Sequence, residues 1–250
     1  MSSLDTRCAT EYILFTLSAR VHLGDSMATW EFSSPTLHLV GSGGFWHAVL
    51  AIGAWSIGAV LTAELLGYWL HRLLHTGLIA FLSRNHMNHH MVQYGPLQKQ
   101  RTPQYHDATE GRIALGNIGL EWLIPGALLI AAVLFIFHFL HVRVAYELLF
   151  IGETLVWSFL MISYLHDIMH VESIWLEKNR WLAPWFVRAR RLHDIHHFGV
   201  NDRGLMDRNF GIGFYFFDRL FGTFSRQAEK FNRAGYDVAQ SRFKSILQIQ

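Results

Sequence analysis

Apolar residues gather into a few long runs along the chain, separated by stretches where polar positions dominate. Residues 32–63 contain no Asp, Glu, Lys or Arg, and from Phe45 onward nearly every position is apolar. That is enough for a helix to cross a hydrocarbon core of about 30 Å. Residues 122–142 form a second run, and residues 148–166 a third that carries a single acid, Glu153. The pattern predicts a long helix over residues 45–75, then a polar loop broken at Pro96 and Pro103, then a helical hairpin over 115–141 and 144–170 with a kink at Pro125. The expected fold is an all-α integral membrane protein with three to four transmembrane helices and a helical cap, the fourth membrane segment lying over residues 12–23. Residues 1–43 read as an interfacial lead-in, 44–225 as one domain and 226–250 as a polar tail. The first apolar run, residues 12–17, is too short for a cleavable signal and follows Asp5 and Glu11.

Composition supports this placement. With 51% hydrophobic and 16% charged residues, the chain is too apolar for an ordinary soluble domain of 250 residues. Cys8 is the only cysteine, which excludes internal disulfides, iron–sulfur clusters and thiolate zinc sites, so any metal must be held by His or carboxylate. A net charge of +2 implies no nucleic acid, but its distribution carries information. Of 21 Lys and Arg, five lie between Arg72 and Arg112 and thirteen after Asp167. The positive-inside tendency puts the loop after the first span and the C-terminal third on the cytoplasmic side. The membrane itself is a bacterial inner membrane or the endoplasmic reticulum.

Sixteen histidines bring in the chemistry. Ten of them form four motifs: HRLLH (His71, His75), HMNHH (His86, His89, His90), HDIMH (His166, His170) and HDIHH (His193, His196, His197). Residues three and four apart share a helix face, so each motif can present several imidazoles together. One HxxHH is expected by chance in roughly one of fifteen chains of this histidine content, so two of them beside two HxxxH pairs are not background. Each HxxxH ends a predicted span and each HxxHH follows within the next polar segment, which lets all ten converge at the membrane surface. Imidazole suits iron, zinc, copper and nickel, and ten ligands exceed what one ion takes. Two ions are implied.

The HxxxH, HxxHH, HxxxH, HxxHH series resembles the fatty acid hydroxylase and sterol desaturase superfamily of membrane di-iron enzymes. NFGIGFYFFDRLFGTF (residues 209–224) is similar to that family's Asn-Tyr-Gly and Trp-Asp-x-Leu-Phe-Gly-Thr signature, with Phe210 and Phe217 in place of Tyr and Trp. The stretch from SYLHDIMH to HDIHH is similar to the fatty acid 2-hydroxylase branch, apart from a longer insertion around residues 175–181. The resemblance implies that the ten histidines hold two iron ions, replaceable by zinc during purification, and that dioxygen is the co-substrate of a lipid hydroxylase. It further implies a lipid-like substrate and two electrons from a b-type cytochrome, ferredoxin or reductase. The substrate class it implies is fatty acyl, sphingolipid, sterol or related, and desaturation on the same metal site is the alternative outcome.

Glu64 lies seven and eleven residues before His71 and His75, on their helix face, and is expected to accept from an imidazole N–H and orient it. Glu121 and Glu153 are weaker candidates of the same kind. His138 and His141 lie at the far end of their run and read as interfacial; His22, His38, His47 and His106 match no motif. An Arg-rich face at Arg188, Arg190 and Arg191 is expected to meet an acidic donor or anionic lipid. A zinc hydrolase is disfavoured because no HExxH is present, and a metal transporter because the histidines sit at helix ends and not at mid-span.

Overall fold

The computed structural model describes residues 12–16, 19–24, 27–32, 36–40, 42–102, 120–227 and 230–247, with side chains described from Gly44 onward and, in the helix that contains it, from Pro125. Contacts divide the chain into two compact units, residues 1–55 and 56–250. In the first, four strands form two antiparallel pairs: β1 (Tyr12–Thr16) with β4 (Thr36–Val40), and β2 (Ala19–Gly24) with β3 (Met27–Phe32). An all-helical chain was the expectation, and this segment departs from it. Its residues are rich in Tyr, Ile, Phe, Val, Thr and Trp in runs of five or six, which suit a pleated strand better than a helix. From Ser42 on, the described residues form helices without strands.

Helix α1 (Ser42–Leu74) is uninterrupted by proline, and soon after its end the chain turns away at Gly77, whose φ of +68° only glycine adopts freely. A Cβ at Gly77 would also lie 2.9 Å from the Phe243 ring. Helix α2 (Ala80–Asn88) continues as a π-helical turn, His89–Gln93, closed by Tyr94 N–H donating to His89 O at 2.8 Å. Helix α3 (Leu120–Phe139) contains Pro125, and a short turn leads to α4 (Val144–Ser158). A second π-helical stretch, Phe159–Leu165, and one more turn, His166–Met169, prolong α4 on the same axis. The cap comprises α5 (Trp175–Lys178), α6 (Ala183–Phe198), α7 (Phe216–Leu220) and α8 (Arg233–Phe243).

Among the described residues, two helices are long and apolar enough to cross a membrane, Gly44–Leu74 and Val144–Met169; Pro125–Phe139 is a shorter apolar helix. Their outer faces are large, exposed and apolar, among them Leu50, Ile57, Leu61, Leu148, Leu155 and Val156. Such faces would be costly in water and are suited to lipid. The facing surfaces carry small residues: Ala59 and Ala63 are buried, and Gly67 brings the backbone against Ile162. This small-residue row lets two membrane helices approach closely. Polar contacts pin the register, with Ser56 Oγ donating to Glu153 Oε1 at 2.9 Å and Trp157 Nε1 to Glu64 Oε1 at 2.8 Å.

The cap has its own cores. Ile168, Met169, Phe186, Leu192, Ile195 and Tyr215 pack together beneath α6. Met87, Met91, Val200 and Met206 enclose Ala239 and Phe243 of α8, so residues 233–243, within the segment read as a polar tail, are a packed helix. Arg190 is not on an exposed face as expected. It is buried, donating to the carbonyls of Ile168 and Val171 and paired with Glu177, because α6 turns that side of itself onto the end of the second span. Arg188 and Arg191 are exposed.

Candidate metal centre

Four backbone segments bring the ten motif histidines together: the end of α1, the end of α2 with the π turn that follows it, the end of the extended α4, and the C-terminal half of α6. They form two groups of five. One is His71, His75, His86, His90 and His196; the other is His89, His166, His170, His193 and His197. In each group, one nitrogen from every ring lies within 4.8 Å of all the others. Opposite ligands of a single ion with bonds of about 2.1 Å stand roughly 4.2 Å apart, so each set is close to ion-bound dimensions.

The division has a rule. Each HxxxH pair stays in one group, joined by the first and last members of the following HxxHH, which stand one helical turn apart. The middle member of each triplet crosses: His89 joins the second group and His196 the first. The groups adjoin where His90 and His197 stack with ring centroids 3.9 Å apart.

Hydrogen bonding fixes several rings. His71 Nδ1 donates to Phe210 O at 2.5 Å, His196 Nδ1 to Arg208 O at 2.6 Å, His170 Nδ1 to Lys99 O at 2.8 Å and His197 Nδ1 to Tyr94 O at 3.0 Å. A carbonyl can only accept, so the proton is on Nδ1 and the Nε2 lone pair points inward. There the nitrogens crowd. His75 Nε2 is 2.9 Å from His86 Nε2 and 3.0 Å from His196 Nε2, and His193 Nε2 is 3.0 Å from His170 Nε2. Both ring nitrogens of His89 and of His90, with His71 Nε2 and His166 Nε2, are buried without a hydrogen-bond partner among the described residues. Burial first, and neighbouring imidazoles after it, lower the pKa of His86, His89, His90, His193, His196 and His197 well below the usual imidazole value. His170 is lowered to about 4, mainly by burial. Neutral rings with converging, unpaired lone pairs are what a cation requires, and the donor set fits two metal ions.

A model of the family described as fatty acid hydroxylase matches residues 56–223, about two thirds of the chain. The chain belongs to the fatty acid hydroxylase family. Neither the curated proteins nor the solved structures include a match. In this fatty acid hydroxylase family member the matched residues begin inside α1 and end at Thr223, so they take in all ten histidines and the loop behind His71.

The remaining candidates fall as follows. Glu64 has Trp157 as its hydrogen-bond partner, while His71 is oriented by Phe210 O, so the expected glutamate–imidazole pair is replaced by a backbone carbonyl. Glu64 instead lines a cavity of about 40 Å³ beside His71, His86 and His166, walled by Tyr68, Trp157, Met161 and Ile162. Glu153 bonds Ser56. His47, His138 and His141 belong to neither group. Glu121, His22, His38 and His106 lie outside the residues whose side chains are described.

Sequence reasoning missed the four carbonyls of Tyr94, Lys99, Arg208 and Phe210, which leave no side-chain signal. It also missed Tyr94, whose ring stacks on His170 at 4.2 Å, and Asp218, which the family-like signature contained without indicating a role.

Proposed function

We propose that the protein is a membrane oxygenase whose ten histidines hold two iron ions and which hydroxylates an aliphatic C–H bond of a lipid-like substrate with dioxygen. Two adjoining groups of five imidazoles, with inward lone pairs and no carboxylate in either set, carry this reading. Iron bound there would supply the activation of dioxygen that such a bond requires, with one oxygen atom entering the product and the other leaving as water at the expense of two external electrons and two protons. The chain supplies the rest. The carbonyls of Phe210, Arg208, Lys99 and Tyr94 hold their imidazoles with Nε2 unprotonated. The apolar wall of Met161, Ile162 and Ile212 keeps water from the cavity that opens on His71, His86 and His166, while Glu64 and Trp157 present polar atoms there. Its position at the ends of the two spans gives a lipid direct access from the bilayer.

Topology supports the same reading. Both α1 and the extended α4 end at the histidines, so the chain returns across the membrane between Leu74 and Val144, and α3 is the apolar helix there. Three spans result, with the metal centre and the basic cap on the cytoplasmic side, where a b-type cytochrome or ferredoxin docks. The motif pattern favours the fatty acid 2-hydroxylase branch.

The test uses purified protein in lipid, loaded with iron and supplied with reductant, a ferredoxin and a lipid extract under ¹⁸O₂. Hydroxylation adds one labelled oxygen to a product, whereas desaturation removes two hydrogens and adds none. Turnover without dioxygen, or none under any iron loading, sinks the oxygenase reading.

A further inference from the structure

Asp218 is fully buried in the cap, on helix α7, with no part in either histidine group. Both of its oxygens accept: Oδ1 from Phe210 N–H at 2.7 Å and from the Thr223 hydroxyl at 2.8 Å, Oδ2 from Gly211 N–H at 2.8 Å. Three donors around two oxygens describe a carboxylate. Thr223 gives its proton to Asp218, so in the 3.2 Å contact between Tyr68 OH and Thr223 Oγ1 the tyrosine is the donor. The network therefore ends in Asp218 and serves to hold it.

What Asp218 holds is specific. The Gly211 N–H and the Phe210 C=O belong to one peptide group, and in a trans peptide they point in opposite directions. The carboxylate grips one end while the other end accepts the Nδ1–H of His71. The second peptide group toward the N-terminus repeats the arrangement: Asn209 N–H donates to Thr223 O at 3.0 Å, and the Arg208 C=O of the same group accepts from His196 Nδ1. Asn209 sits at φ +53°, with its side-chain amide bonded to Leu192 O, Ser225 O and Ser225 N–H. A Cβ on Gly211 would come within 2.6 Å of Phe214 O and 2.8 Å of Asp218 Oδ2, so the peptide lies directly against the carboxylate. Both imidazoles braced in this way belong to the same group of five. The two braced rings of the other group, His170 and His197, lean on the separate loop that carries Tyr94 and Lys99.

We propose that Asp218 is a positioning residue for the first group, fixing and polarising the carbonyl behind His71 through one peptide group and so tightening that group's hold on its ion. This rests on the reading of the ten histidines as holders of two ions. A hydrogen bond to a peptide N–H strengthens the acceptor power of the carbonyl on the same group, and a better acceptor makes the imidazole a stronger ligand. Carboxylates that touch a metal-bound imidazole directly are worth 10–100-fold in affinity, so an effect on the order of tenfold is expected through the intervening peptide.

The experiment measures ions per chain as a chelator is titrated into the purified, zinc- or iron-loaded protein in lipid. In Asp218→Asn, one of the two ions is expected to leave at about tenfold lower chelator, with the other unmoved and helix content unchanged. The effect should be additive with His170→Ala, which damages the other group, and non-additive with His196→Ala. Unchanged release, or equal loosening of both ions, overturns the proposal. If Asp218→Asn does not accumulate in the membrane, Thr223→Val removes one donor and keeps the charge. A smaller loss confined to one ion then supports the proposal, and an unchanged titration overturns it. A parent protein that holds fewer than two ions fails the dimetal reading itself, and this is seen before any variant is made.

Discussion

His89 and His196 are each one residue away from a partner in the opposite group, and that single step along a helix decides where they point. Adjacent residues on a helix differ by about 100° in direction, so His89 and His90 cannot face the same centre. This interleaving makes each centre depend on both halves of the chain. His196→Ala is expected to deplete the ion of the group containing His71, and His89→Ala the ion of the group containing His166. Loss of a direct ligand should exceed the roughly 100-fold that outer partners cost, so dioxygen-dependent turnover falls to background in both. Helix content and membrane insertion should be retained, because neither residue interrupts an apolar run. His138→Ala, on an exposed position outside both groups, is the control and should be neutral. Metal analysis and oxygen uptake on the same samples read this, and full turnover in both triplet variants would count against two shared centres. All ten histidines were legible in the sequence because side-chain spacing carries them. The assignment of each to a group was not, since it depends on how four segments meet, and the carbonyls that orient them carry no residue identity at all.

At the scale of elements, the contact between α1 and α4 sets the distance between the histidines that end them. Gly67 lies one turn before His71, and a Cβ there would stand 3.0 Å from Ile162 Cδ1 and 3.6 Å from its Cγ1. Gly67→Val must push the π-helical stretch away or force Ile162 off its rotamer, at about 1–3 kcal/mol. Thermal unfolding in detergent should fall by several degrees, and chelator should release ions more readily as His71 and His166 separate. Gly152→Ala, where nothing lies within 4 Å, should leave both unchanged. Equal behaviour of the two variants would show that this interface does not position the site. The helices themselves were readable from apolar run length, with α1, the described part of α3, and α4 together with its continuation to Met169 close to their expected bounds. The two π-helical stretches were not. A wider turn costs hydrogen-bond geometry and is selected by what it positions, and these two lie at His89–Gln93 and immediately before His166. The strands over residues 12–40 were missed for another reason: helix and strand cannot be separated by periodicity in apolar runs this short.

For the whole molecule, one cluster of ten histidines made by two distant halves constrains how the chain can thread a bilayer. The segments on either side of α3 both reach the histidines, so the loop carrying Tyr94 and Lys99 must share a side with α6 and the cap. On the proposed three-span topology charge then selects which side, since 18 of the 21 basic residues would fall on it and Arg7, Arg20 and Arg143 would not. In a Cys8→Ser background, single cysteines at Gln98 and Lys244 are expected to resist a membrane-impermeant maleimide added to intact cells and to react once the membrane is opened. A cysteine at Leu140, in the turn between α3 and α4, should react from outside. Two separable results can contradict this. Inverted labelling of all three sites would reverse the orientation and leave the shared centre intact, because the geometry of the groups is indifferent to which compartment they face. Labelling of Gln98 and Lys244 from opposite sides would be incompatible with Tyr94 O and His197 Nδ1 meeting at 3.0 Å, and would dismantle the shared histidine cluster on which the oxygenase reading stands.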